Sequence, residues 1–176
     1  MGKRIMSTSF ASLLVVAAFA FAGATASAAT NCTIVGTAGN DRLIGTPHHD
    51  VICAKGGADF IRGNNGADTI YGGAGPDTII GGGAKDIEYG GKGNDILDED
   101  SGGDRLYGQV GDDEIRGFGG PDILIGGLGG DCLYTVDNVS GNDIAMGGAG
   151  NDTAGIDPGD TTSNVETVAD NFCAGD

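Results

Sequence analysis

An aspartate recurs at every ninth residue through most of this chain. Cut into nines from Gly36, the sequence reads GTAGNDRLI, GTPHHDVIC, AKGGADFIR, GNNGADTIY, GGAGPDTII, GGGAKDIEY, GGKGNDILD, EDSGGDRLY, GQVGDDEIR, GFGGPDILI and GGLGGDCLY. Position six is Asp in all eleven units: Asp41, Asp50, Asp59, Asp68, Asp77, Asp86, Asp95, Asp104, Asp113, Asp122 and Asp131. A fixed period of this kind constrains a chain to stack like units on one another, because no single unit can bury its own apolar side. Three extra residues break the register after Asp131, and two weaker units follow with Asp143 and Asp152.

The other positions say what one unit looks like. Position eight is aliphatic in ten of the eleven units, Glu88 being the exception, and position four is Gly in nine, the exceptions being His48 and Ala84. Glycine permits a backbone curl that places several carbonyl oxygens around one point. The unit therefore reads as a six-residue glycine turn ending in Asp, then a three-residue strand whose middle side chain faces inward. An inward Glu would leave a buried carboxyl without a partner, which is costly. A local distortion is expected at Glu88, or an outward turn with Ile87 in its place, and the site using Asp86 is the least regular.

These residues resemble the RTX family of calcium-binding repeats, whose motif is GGxGxDxUx with U a large apolar residue. The resemblance is tight over Gly36 to Tyr134 and loose to Gly155. It implies an all-β fold, a right-handed parallel β-roll (a β-solenoid) with two nonapeptides per 18-residue turn and calcium between stacked turns. Two Asp columns follow. One holds Asp41, Asp59, Asp77, Asp95, Asp113 and Asp131; the other holds Asp50, Asp68, Asp86, Asp104 and Asp122. Asp143 and Asp152 join the candidate metal ligands. Ca²⁺ takes six to eight oxygens, more than one Asp supplies, so each site needs carbonyls and a carboxylate from the turn above. Pairing each loop with the one two repeats on gives about nine ions in the regular stretch. Asp also favours turns without any metal, but turn duty does not demand it at one fixed position every time.

Residues 1–29 stand apart. Lys3 and Arg4 precede an apolar run from Phe10 to Ala22, and Ala26-Ser27-Ala28-Ala29 offers a cleavage site. That order fits a signal peptide; the run is too short for a membrane anchor. The expected division is signal peptide 1–29, N-terminal cap 30–35, repeat roll 36–155 and C-terminal cap 156–176, with Val165–Val168 as a candidate last strand. The protein is expected outside the cell or on its surface. All 25 acidic residues and seven of the basic ones follow the leader, leaving a net charge near −18. Nucleic acid is excluded as a partner, and so is insertion into a membrane.

Cys32, Cys53, Cys132 and Cys173 allow three disulfide pairings. Cys32–Cys53 with Cys132–Cys173 is preferred, because it would pin each end of the stack. Zinc is the alternative, disfavoured by the absence of C-x-x-C spacing. Tyr71, Tyr89 and Tyr107 occupy position nine at 18-residue intervals and should form an outward ladder. Cross-strand stacking is one role for it; docking a cell-surface glycan or protein is the other. His48 and His49 read as loop variants, not as a catalytic or metal pair. Asn31, Asn138 and Asn151 begin glycosylation sequons, a weak signal. No nucleophile elbow, paired-His helix or Ser/His/Asp set is present, so no enzyme is expected. Position two is no flat Thr/Asn array, which argues against ice binding.

Overall fold

In a computed structural model, residues 31–137 and 142–169 are described. Residues 1–29, expected as a signal peptide, and Asn138 and Cys173 lie outside them. The described residues hold sixteen strands and no helix: β1 (Ile34–Val35), β2 (Arg42–Ile44), β3 (Val51–Gly56), β4 (Phe60–Asn65), β5 (Thr69–Ala74), β6 (Thr78–Gly83), β7 (Ile87–Lys92), β8 (Ile96–Asp98), β9 (Arg105–Val110), β10 (Glu114–Arg116), β11 (Ile123–Leu128), β12 (Cys132–Tyr134), β13 (Ile144–Ala149), β14 (Thr153–Gly155), β15 (Thr161–Ser163) and β16 (Thr167–Ala169). Odd-numbered strands form one eight-stranded parallel sheet and even-numbered strands the other. This is the parallel β-roll that the family resemblance implies. Each strand pairs with the one two ahead, as in Ile70↔Glu88 and Ile79↔Leu97, 18 residues apart.

Many strands are six residues long, not three. Positions two and three of the next repeat continue the pairing, as in Gly73↔Gly91 and Ala74↔Lys92. The curl is carried at positions two and four. Gly73 (φ 112°) and Gly75 (φ 113°) both lie in the left-handed region. Lys55, Asn64 and Gln109 adopt the same conformation at position two, so that site tolerates a side chain. Ala84 does so at position four with φ 96°, a strained place for a non-glycine residue.

Position eight builds the core. Ile52, Ile70, Leu106 and Leu124 line one sheet; Ile61, Ile79, Leu97, Ile115 and Leu133 line the other, all fully buried. One aliphatic side chain per nine residues makes a thin core. The three-residue insertion leaves the register intact: β11 pairs β13 with Leu124↔Ala145, a step of 21 instead of 18. Strand β1 lies in the segment expected as the N-terminal cap, and β15 and β16 lie in that expected as the C-terminal one.

Cys32 and Cys53 are joined, tying the N-terminal segment to β3. Cys132 is also in a disulfide; Cys173, its expected partner, is outside the described residues. On the outer face of the odd-numbered sheet, Tyr71, Tyr89 and Tyr107 stack with ring centroids 5.0 and 4.9 Å apart and nearly parallel planes. All three are half-buried. Replacing the three by Ser should lower stability by about 0.5–1.5 kcal/mol per lost ring pair while the midpoint of a calcium titration stays in place. A large shift of that midpoint would show that the ladder is coupled to the Asp columns.

Candidate metal centre

From Asp59 on, each repeat Asp is buried and its two oxygens have different surroundings. Oδ1 accepts the backbone N–H of the Asp one turn earlier. Asp59 Oδ1 takes Asp41 N–H at 2.7 Å, Asp77 Oδ1 takes Asp59 N–H at 2.9 Å, and Asp95 Oδ1 takes Asp77 N–H at 2.9 Å. The second column repeats this through Asp50, Asp68, Asp86, Asp104 and Asp122. Across the insertion, Asp122 N–H reaches Asp143 and Asp131 N–H reaches Asp152. Each column thus has its own ladder, and Asp143 and Asp152 belong to the ladders as fully as the regular members.

Oδ2 has no donor. It is buried and without a hydrogen-bond partner in Asp59, Asp68, Asp77, Asp86, Asp95, Asp104, Asp113, Asp122, Asp131, Asp143 and Asp152. An unsatisfied buried carboxylate oxygen is expensive, and eleven of them in two columns call for a cation. Backbone oxygens converge on the same points. A β-carbon on Gly72 would lie 2.6 Å from Asp77 Oδ2 and 2.6 Å from the Gly90 carbonyl oxygen one turn on. Glycine at position one therefore keeps open a small oxygen-lined space. Hard, flexible, all-oxygen surroundings of this kind fit Ca²⁺.

The first turn is closed differently. Asp41 Oδ2 accepts from Thr37 N–H at 2.6 Å and from its hydroxyl at 3.0 Å. Asp50 Oδ2 accepts likewise from Thr46, at 2.6 and 2.8 Å. Of the thirteen candidates, these two have a threonine where the others have none. Burial raises the Asp50 carboxyl, but the Thr46 and Thr33 hydrogen bonds outweigh it, and the net position is below the ordinary value.

Elsewhere burial pushes the carboxyls up against the lowering effect of the Oδ1 bonds. Asp77, Asp131 and Asp143 rise to about 6. Asp86, Asp95, Asp113 and Asp122 rise to about 7. In each, the charge of column neighbours adds to the effect of burial.

The repeat at Gly81–Tyr89 departs from the expected arrangement. Glu88 neither turns outward nor yields its place to Ile87. It stays in register between Ile70 and Leu106 and is fully buried. Its partner is Glu99, also fully buried. Burial pushes Glu88 up to about 8, opposed by the facing Glu99 carboxyl. Burial and the Glu88 charge raise Glu99 as well. Both oxygens of Glu88 and Oε1 of Glu99 are buried without a hydrogen-bond partner. Glu99 stands at position one, where nine of the eleven units have Gly. That substitution was the available signal for it. Sequence reasoning also passed over the ends of the columns, where Asp160 accepts Asp143 N–H and Glu166 accepts Asp152 N–H.

His48 and His49 are exposed loop residues, and the His49 ring bonds the Ala67 carbonyl. No helix among the described residues is long and apolar enough to cross a membrane.

A parallel solenoid with two internal columns of aspartate defines a class of repeat protein built around cations. A family profile described as the RTX calcium-binding nonapeptide repeat matches in four copies, at residues 33–61, 62–97, 100–131 and 138–154. These cover well over half of the chain, and the chain belongs to that family. No curated protein matches it closely enough to count as a relative. Calcium binding is what the family's repeats imply, and the buried Asp columns agree with it.

Proposed function

We propose that this chain is an extracellular calcium-binding protein whose repeats fold as they bind Ca²⁺, with the Asp residues from Asp59 to Asp152 as ligands through Oδ2. The observation that carries this reading is the row of orphaned Oδ2 atoms. Asp41 and Asp50 are ligands only if their threonine bonds are given up. Bound calcium supplies positive charge between carboxylates that otherwise repel.

The division of labour within each Asp gives a clean test. Asp77→Asn keeps an oxygen for the Asp59 N–H but replaces Oδ2 by an amide nitrogen. Calcium titration followed by calorimetry should show at least about tenfold weaker binding at the sites flanking Asp77, since ligand charge sets affinity. An unchanged isotherm would remove Asp77 from the ligand set.

The tyrosine ladder favours a second role, docking a cell-surface glycan or protein on the odd-numbered sheet. Half-buried rings stacked at 5.0 and 4.9 Å form a flat apolar strip. Glycan or cell-wall retention lost in the triple Ser variant, with calcium binding kept, would support it; equal retention would leave the ladder with stacking alone.

A further inference from the structure

Among the described residues, one turn of the roll brings three carboxylates together. Asp86, Glu99 and Asp104 bring carboxylate oxygens within 4.8 Å of one another, and all three residues are buried. Two oxygens on opposite sides of one calcium ion at about 2.4 Å are about 4.8 Å apart, so one ion can reach all three. Asp86 Oδ2, Glu99 Oε1 and Asp104 Oδ2 are fully enclosed with no hydrogen-bond partner. The other Glu99 oxygen, Oε2, accepts Gly82 N–H at 3.0 Å, which holds the carboxyl in the turn.

The placement of Glu99 is specific to this turn. In the regular turns the space over the position-one glycine belongs to Asp Oδ2 and a carbonyl from the next turn, as over Gly72. Over Gly81 the nearest atoms are those of the Glu99 carboxyl, and a β-carbon there would collide with it. Glu99 therefore projects from one turn into the loop space of the turn before, beside Asp86. Glu88 faces it from the core side. A regular site offers two Asp carboxylates, one from each turn; this one offers three, with a fourth adjoining.

We propose that Asp86, Glu99 and Asp104 form a three-carboxylate divalent-cation site that binds the first and tightest calcium ion of the stack. This rests on the calcium reading above and deepens it at one turn. Affinity in oxygen-ligand sites rises with the number of charged ligands and with rigidity. The site also sits mid-column, with Asp50 and Asp68 before it and Asp122 and Asp143 after it. An ion held there fixes turns on both sides of the middle of the roll.

The test is a calcium titration of the purified chain in competition with a chromophoric chelator. The wild-type chain should bind one equivalent at least about tenfold more tightly than the remainder. Glu99→Gly installs the residue usual at position one, so it should fold in saturating calcium; it should lose the tight equivalent and keep the weaker class. If Glu99→Gly does not fold, Glu99→Gln, which keeps shape and loses charge, should give the same loss. A single uniform class in the wild-type chain overturns the proposal, and so does a tight equivalent that survives in the folded variant. No calcium binding at all would instead overturn the reading of the whole roll.

Discussion

Stripped of calcium at pH 7.5, the chain should give the circular dichroism of a coil, and calcium at roughly 0.1–1 mM, the weak range of extracellular modules, should convert it to a β-sheet spectrum. The magnitudes favour this outcome. Most repeats bury one Ile or Leu, which contributes about 1.5–3 kcal/mol. Column neighbours lie one strand spacing apart, about 4.8 Å. Two charged carboxylates at that distance repel by roughly 3 kcal/mol at an effective dielectric of 20. The apolar gain of a repeat is thus cancelled by its own aspartate, and the entropy lost by ordering the glycines of the roll stays uncompensated. A cation between the carboxylates reverses the sign of the largest unfavourable contribution. Magnesium should restore little, because it demands a tight octahedron that shared carbonyls do not supply. A complete β-sheet spectrum in calcium-free buffer at this pH would refute the coupling of folding to metal.

The fold was readable because one unit repeats. Asp at position six, Gly at position four and an aliphatic residue at position eight each mark one feature of the turn, and eleven copies fix the register. The core side chains from Ile52 to Leu133 and the tyrosine ladder fall where that period puts them. What escaped was whatever depends on pairing between turns. Glu88 reads as an error in its own repeat, because its partner Glu99 stands eleven residues away in another one. Only the superposition of turns brings the two carboxyls together. The long strands escaped for a related reason: glycines at positions two and three look like turn residues alone, yet their backbones pair with the identical positions above and below. Asp160 and Glu166 lie beyond the recognisable repeats and continue the columns with spacings that the nine-residue period does not mark. The threonine caps on Asp41 and Asp50 follow from Thr37 and Thr46 at position two, a signal present in the sequence whose meaning depends on the first turn having no turn before it.

Acid should replace calcium. At pH 5 the calcium-free chain should gain β-sheet structure and lose it again on return to pH 8. Asp77, Asp131 and Asp143 stand at about 6 in the folded roll, and Asp86, Asp95, Asp113 and Asp122 at about 7. An unfolded Asp titrates near 3.9. The folded chain therefore binds protons more tightly than the unfolded one. The stability these groups contribute is complete below about pH 4 and is lost as pH rises through 6 to 7. Each pH unit between the folded and unfolded values corresponds to about 1.4 kcal/mol. Even if mutual coupling cuts the total to a third, seven such groups amount to several kcal/mol, comparable with the whole stability of a small domain. Asp50 works the other way: its lowered position contributes stability above its unfolded value that is lost as pH falls through the folded one. It is one group against seven. With calcium present the dependence inverts, since protons compete for the same oxygens, and the calcium midpoint should rise as pH falls from 7 to 5. The measurement is a pair of pH titrations by circular dichroism, one on metal-stripped protein and one at saturating calcium. At pH 5 the chain is still above its isoelectric point of about 4.1, so residual negative charge opposes aggregation. A metal-free chain that stays a coil from pH 8 to pH 5 would show that neutralising the columns is not enough, and that the roll needs the ion's coordination geometry as well as its charge.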